Sequence, residues 1–201
     1  MWNRISRVTQ PAAEAVTLSD VKLSRRNDFE DDDVFLNRCI KAAREVVEGP
    51  NGSGVVLMAS QWSIKFDAMP REIWIPMGPV LSIDSISYID DAGDTQTLDA
   101  AAYQWRAEAF AARVRPAYQL SWPTVRRQYD AVAVTFTAGF PGTNDSPVSR
   151  DNLPGPLVQA MHMLIGHWDE NREAVVVGVI PAEVQHGFDA LMNMYRVGRV
   201  A

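Results

Sequence analysis

The stretch AVAVTFTAGF, residues 131–140, alternates side chains with a period of two. Val132, Val134 and Phe136 fall on one face of an extended chain, and the residues between them fall on the other. Period-two alternation of this kind predicts a β-strand with one buried face.

The chain on the N-terminal side of this stretch has the same character back to about residue 55. Short segments rich in β-branched and aromatic residues are separated by turn signals, namely PMGP, DDAGD, RPAY and WP. Strands this short and this close together cannot be joined by helical crossovers, so the β region 55–140 is expected to consist of antiparallel hairpins.

Helical patterns lie on both sides of the β region. Thr17 and Asp20 fit a capping box, in which each side chain satisfies a free backbone N–H at a helix start. Apolar residues then recur at three- and four-residue steps, and Pro156 and Pro181 suit first helical turns. The predicted helices are 18–25, 33–48, 156–171 and 181–196.

These elements predict an α+β fold, with helices at both ends of the chain packed around a small antiparallel sheet or hairpin region. Residues 1–16 are expected to form an extended N-terminal arm, 17–195 a single domain, and 196–201 a C-terminal tail.

Composition limits the function. The 201 residues carry a formal net charge of −6, which argues against a surface built to wrap nucleic acid. Cys39 is the one cysteine, so no intrachain disulfide is possible, and its place on an apolar helical face predicts an inert buried thiol. Without a signal peptide or a long apolar run, we expect an intracellular protein with no membrane partner.

Catalytic motifs are weak. A zinc-protease helix needs two histidines four apart with a glutamate beside the first, whereas His162 and His167 are five apart and Met163 takes the glutamate position. A metal hydrolase that uses these histidines with Asp169 is kept as a hypothesis, ranked below the two that follow. GPNGSG (49–54) runs into a strand pattern and not a P-loop helix, and DDAGD (90–94) fits a hairpin turn better than a calcium loop. No catalytic, cofactor or metal residue is assigned.

A small basic and aromatic patch gives the alternative function. It comprises Arg113, Arg115, Arg126 and Arg127, near Trp122 and Tyr129. Arginine beside aromatic rings is typical of single-strand nucleic-acid binding, and also of protein interfaces.

The order of the motifs resembles one known family. VTLSDVKLSRRNDFEDDDVFLNRCIKAAREVVE is similar to the start of the head–tail connector, or adaptor, proteins of tailed bacteriophages and gene transfer agents. The matching residues are Leu18, Lys22, Asp32, Asp33, Ala42, Ala43, Arg44, Val47 and Glu48.

The resemblance continues to about residue 199. PMGPVLSIDSISYIDDAGD is similar to the family's Pro-rich turn, strand and glycine hairpin, and RPAYQLSWP and VAVTFTAGF fit the strands that follow. PGPLVQAMHMLIGHWDENREAV and IPAEVQHGFDALMNMYRVGRV are similar to its last two helices. Each motif alone is also explained by packing or capping, so the order is the specific part. Leu23-Ser24-Arg25 departs from the expected Leu-Arg pair and leaves the end of the first helix open.

This resemblance implies a non-enzymatic virion protein without cofactors. Such adaptors form a ring of about twelve copies on the portal vertex, extend the DNA channel and dock tail-side stopper or terminator proteins. Its partners would be the portal protein, copies of itself and DNA that passes through the lumen without sequence-specific binding. It would act in the neck of the particle, after assembly in the bacterial cytoplasm.

Two segments are expected at the interfaces of such a ring. AVVVGVI (174–180) is too apolar for a solvated loop, which predicts subunit contacts at this run. The C-terminal segment is expected to dock on the portal, by analogy with the family. The predicted interface residues are Arg172, Glu173, Val175, Val176, Val177, Tyr195, Arg196 and Arg199.

Overall fold

The computed structural model describes residues 4–26, 30–50, 52–141, 150–172 and 182–195, the first three residues of the last range by backbone alone. The chain divides into two compact units. Residues 1–12 and 58–141 form one, called the β unit here, and residues 13–57 and 142–201 form the other, called the helical unit. The single domain predicted over 17–195 stays a prediction.

The β unit holds the described strands in two antiparallel sheets. The strands are β1 (Ile5–Arg7), β2 (Ser60–Phe66), β3 (Ile73–Ile75), β4 (Val80–Ile89), β5 (Thr95–Thr97), β6 (Tyr103–Ala107), β7 (Ala112–Pro116) and β8 (Val132–Ala138). A five-stranded sheet has the order β1-β2-β8-β4-β5, and a three-stranded sheet has the order β3-β7-β6. The α+β class is confirmed, since antiparallel sheets accompany four described helices.

Strand β8 is the centre of the larger sheet. It pairs with β2 on one edge and with β4 on the other. Val132, Val134 and Phe136 are fully buried, whereas the alternate residues are half-buried. Each such buried side chain contributes about 1.5–3 kcal/mol relative to exposure. The alternation that predicted this strand therefore marks its core face.

The N-terminal segment adds an edge strand to the larger sheet, and the extended arm predicted over 1–16 stays a prediction. Ile5–Arg7 form strand β1, which pairs with β2 so that Ile5 lies opposite Ile64. The Arg7 guanidinium stacks 4.5 Å from the Trp62 ring centroid, and Arg4 donates to Asp67 at 2.7 Å. Three residues are too few to show a period, so the strand depends on its partner and not on a local pattern.

The helical unit holds α1 (Leu18–Arg25), α2 (Asp33–Val47), α3 (Gly155–Glu170) and α4 (Ala182–Asn193). The capping box is present at Thr17 and Asp20 as predicted, and it lowers the pKa of the Asp20 carboxyl through the Thr17 hydroxyl. Arg26, in the left-handed conformation, ends α1. Burial against the helical core raises the pKa of the Cys39 thiol, as an inert structural cysteine requires.

A buried ion pair lies at the C-terminal end of α2, between Arg44 in its last turn and Glu48 just after it. Arg44 Nη1 donates to Glu48 Oε1 at 2.7 Å, and the two side chains are 1% and 0% exposed. Arg44 Nε also donates to Glu14 Oε2 at 2.7 Å, and Glu48 Oε2 accepts the Leu57 backbone N–H at 3.1 Å. The pair thus connects α2 to the segments before α1 and after the glycine turn, where Gly49 and Gly54 have positive φ.

Candidate interface residues

The C-terminal end of α3 carries a cluster of ion pairs, called the Arg172 cluster here. Arg172 donates to Asp32 Oδ1 and to Asp169 Oδ1, each at 2.5 Å. Its guanidinium carbon also lies 4.8 Å from the centroid of the Phe35 ring. Asp32 precedes α2, so the cluster joins the end of one helix to the start of another.

Arg25 completes the Arg172 cluster from the last turn of α1. Its Nε lies 3.2 Å from Asp169 Oδ2, and its Nη2 lies 2.9 Å from Glu170 Oε1. The carboxylates of Asp32 and Asp169 raise the pKa of Arg172. Arg172 was predicted at a subunit contact, and the structure places its guanidinium in bonds within its own subunit.

The other predicted interface residues are largely outside the described part of the chain. Glu173, Val175, Val176, Val177, Arg196 and Arg199 lie outside the described residues. Tyr195 is half-buried just after α4, and its backbone N–H donates to the Met192 carbonyl at 3.1 Å. Their roles at an interface stay predictions.

The histidines of α3 do not converge on one point with other ligands. His162 Nδ1 lies 3.5 Å from Ser24 Oγ, and burial lowers the pKa of His162. His167 Nδ1 lies 3.2 Å from Asn171 Nδ2, and two arginines engage Asp169. Within the described ranges, no group of three or more His, Cys, Asp or Glu side chains could hold a metal ion.

The smaller sheet presents a face that is rich in arginine, called the arginine face here. It comprises the strand residues Gln104, Arg106, Arg113 and Arg115 with the carboxylates of Glu72 and Glu108. The four strand residues, Glu72 and Trp105 line a cavity of about 100 Å³. In the β6–β7 pairing Arg106 lies opposite Arg113, and Gln104 lies opposite Arg115. Like charges directly opposite each other destabilise a sheet, so this face needs carboxylates.

Two glutamates supply those carboxylates. Arg113 Nη1 donates to Glu72 Oε2 at 2.8 Å, and Arg113 Nε donates to Glu108 Oε1 at 2.9 Å. Arg106 Nη2 lies 3.2 Å from the same Glu108 oxygen. These bonds raise the pKa of Arg113, and the bond from Arg113 lowers the pKa of Glu108.

The four arginines of the predicted basic patch belong to two different places in the β unit. Arg113 and Arg115 lie on β7 of the smaller sheet. Arg126 and Arg127 lie in the loop 117–130, where the Arg126 N–H donates to the Ile89 carbonyl at the end of β4 in the larger sheet. Arg106 was not among the predicted patch residues, although alternation in YQWRA puts it on one face with Gln104.

Comparison with known proteins gives the fold but no sequence family. No family model matches the chain, and no curated protein matches it. Among solved structures, a chain in the neck of an empty gene transfer agent particle, computed with C6 symmetry, is 23% identical with a TM-score of 0.74. The likeness covers 98% of this chain and 97% of that chain.

Two further structures have the same fold. One is a chain in the virion of a native gene transfer agent particle, at 22% identity and a TM-score of 0.69. The other is a chain in the neck of a native particle computed with C12 symmetry, at 21% identity and a TM-score of 0.66. Each likeness covers 98% of this chain and 97% of the other. The chain therefore has a fold found in the necks of gene transfer agent particles, and the resemblance seen in the sequence holds at the level of the fold.

No described helix is both long and apolar enough to cross a membrane.

Proposed function

We propose that the chain is a head–tail adaptor, a structural protein without enzymatic activity in the neck of a phage-like particle. The single observation that carries this proposal is the likeness over 98% of the chain to chains in gene transfer agent necks. The protein would act in the virion after assembly in the bacterial cytoplasm.

In this proposal, copies of the chain form a ring on the portal vertex, extend the DNA channel and dock a tail-side stopper. Support for the ring comes from the C6 and C12 symmetries used for the two neck structures. A ring needs two different, complementary faces on each subunit. The apolar run 174–180 is the candidate for one buried contact, and the C-terminal segment 195–201 is the candidate for portal docking.

The net charge of −6 suits a lumen through which DNA slides without sticking, because acidic groups repel the phosphate backbone. We infer that acidic side chains line the lumen. A ring whose lumen is basic would contradict this part of the proposal.

The proposal is tested by mixing the purified protein with particles that carry the portal of the same phage-like element and imaging them by electron microscopy. We expect ring density on the portal vertex. Deleting residues 195–201 should remove the density while the circular dichroism of the protein is unchanged. Particles without added density for the intact protein would refute the function.

The subunit contact has its own test. Val176→Asp places a charge in the proposed buried run, so we expect loss of the ring with a folded monomer. Val34→Asp, at a residue of α2 that is 65% exposed, is the matched control and should assemble normally. A ring that tolerates Val176→Asp would show that this run is not a subunit contact.

The geometry favours the nucleic-acid alternative less. Phosphate binding needs several free cations in one track. Arg113 is held between two glutamates, and Arg126 and Arg127 lie on a different element from Arg115.

A further inference from the structure

Arg115 is the one member of the arginine face whose charge is not neutralised among the described residues. The face has three guanidiniums, of Arg106, Arg113 and Arg115, and two carboxylates, of Glu72 and Glu108. Three positive and two negative charges leave a surplus of one. The described ion pairs engage Arg106 and Arg113, and within the described chain Arg115 has neither an ion pair nor a side-chain hydrogen bond.

The surroundings of Arg115 define what it can receive. Gln104, opposite Arg115, donates one of its two amide N–H groups to the Pro116 carbonyl at 3.2 Å. A guanidinium fork with five N–H donors fits the two oxygens of a carboxylate.

The cavity fits a single carboxylate better than a nucleic acid. At about 100 Å³ it holds one small group. The carboxylates of Glu72 and Glu108 at its edge repel a run of phosphates but do not prevent one charge from meeting Arg115. Among the described residues of this face, a single arginine without an ion pair is also too few to follow a run of phosphates.

A second copy of the chain is the partner that the charges favour. The chain carries a net charge of −6, so its copies repel one another unless a positive site meets a negative one. Glu30 and Asp31 are exposed, and neither has an ion pair or a side-chain hydrogen bond within the described residues. Asp32 and Asp33, in contrast, are engaged by Arg172 and Lys22.

We propose that Arg115 of each subunit binds an exposed carboxylate of the neighbouring copy; among the described residues, Glu30 and Asp31 are two such carboxylates. This inference rests on the proposed ring and names a contact within it. In a cyclic ring each subunit meets its neighbours through two different faces. Here one face would carry Arg115 and the other the carboxylate.

A zero-length cross-link tests the contact directly. Arg115→Lys puts an amine in the cavity, and a carbodiimide joins an amine only to a carboxylate that touches it. Rings are assembled on portal particles from a mixture of ¹⁴N- and ¹⁵N-labelled subunits, treated with the carbodiimide, and digested for mass spectrometry. We expect peptides that join position 115 of one isotope to a carboxylate of the other isotope. Arg127→Lys, at an exposed arginine of the loop 117–130, is the control and should give no such peptide.

Other outcomes overturn the inference. A link from position 115 only to Glu72 of the same isotope, only to a portal carboxylate, or to nothing would refute the contact between copies. Arg115→Glu provides an independent measurement and should weaken ring formation at least about tenfold, as loss of a buried charge contact does. If the wild-type protein retained DNA in filter binding and Arg115→Ala did not, the site would be assigned to nucleic acid instead.

The two proposals fail in different ways. If wild-type rings form on the portal and Arg115→Glu rings form equally well, the contact is wrong and the adaptor function stands. If the wild-type protein neither assembles nor binds portal particles, both proposals are wrong.

Discussion

Replacing Arg44 by methionine would remove one half of the buried ion pair at the C-terminal end of α2. The side chain of Glu48 is 0% exposed, and its carboxylate accepts from Arg44 at 2.7 Å and from the Leu57 N–H at 3.1 Å. After the substitution the backbone donor remains, but it does not neutralise the charge of Glu48. Breaking a buried pair on one side costs about 3–5 kcal/mol, a large part of the 5–15 kcal/mol that stabilises an ordinary domain.

We expect Arg44→Met to lower the free energy of unfolding by about 3 kcal/mol, the lower limit of the cost of breaking a buried pair. The Glu14 carboxylate, which also accepts from Arg44, is 36% exposed and can be solvated when the arginine is lost. The measurement is urea denaturation followed by circular dichroism at 222 nm. The four described helices lie in the helical unit, so this signal follows the unit that contains Arg44.

Two further variants make this prediction decisive. Arg38→Met changes an exposed residue of the same helix and should alter the unfolding free energy by less than about 0.5 kcal/mol. Adding Glu48→Gln to Arg44→Met removes the stranded charge while keeping an oxygen for the Leu57 N–H. The double variant should therefore recover about 1–2 kcal/mol relative to Arg44→Met alone. A loss below about 1 kcal/mol for Arg44→Met, or a double variant less stable than the single one, would refute the reasoning.

Four other predictions concern the helix cap, its pH dependence, a close backbone approach and DNA binding. Thr17→Ala should lower the unfolding free energy of the helical unit by about 1 kcal/mol, measured by the same urea denaturation. Thr17→Ser keeps the capping hydroxyl, so its unfolding free energy should stay within a few tenths of a kcal/mol of the wild-type value. Equal losses for both variants would contradict the role of the cap. The Thr17 hydroxyl lowers the pKa of Asp20 in the folded state, so the associated stabilisation is present at neutral pH and is lost as the pH falls through that lowered pKa. The difference in unfolding free energy between wild type and Asp20→Asn should therefore shrink in acid. A difference that is independent of pH would argue against this linkage. Gly139→Ala should destabilise the β unit by more than about 1 kcal/mol, measured by denaturation followed through tryptophan fluorescence, because φ is +139° and a Cβ would lie 2.5 Å from the Ala59 nitrogen. Gly155→Ala is the control and should be tolerated, since its Cβ would meet nothing within 4 Å. A stable Gly139→Ala protein would show that the close approach relaxes. In filter binding over a salt series, the protein should show no tight, salt-steep retention of DNA, and a steep slope would revive the nucleic-acid alternative.

Elements with a strong local pattern could be predicted from the sequence. The alternation in 131–140 predicted strand β8 and its core face, and Thr17 with Asp20 predicted the start of α1. Such signals lie within a few residues of the chain, because periodicity and capping are properties of neighbouring side chains. The α+β class followed from the order of these patterns.

Candidate sites were harder to predict because they depend on residues that are distant in the sequence. Sequence reasoning grouped Arg113 and Arg115 with Arg126 and Arg127, whereas the structure pairs Arg113 with Arg106 across two strands and with Glu72 before a third. Strand register and the meeting of distant carboxylates are decided when strands pair, and no local pattern records them.

By itself, then, the sequence determined which stretches are helical or extended, which faces are apolar, and the order of motifs that resembles an adaptor. Only the tertiary structure decided that Ile5–Arg7 add a strand to the sheet, that Arg44 and Glu48 share a buried site, and that Arg115 has no ion pair among the described residues. The physical reason is the range of the interactions. Propensity and amphipathicity act over one or two turns, whereas strand pairing, burial of ions and charge balance on a face depend on residues brought together by the whole fold.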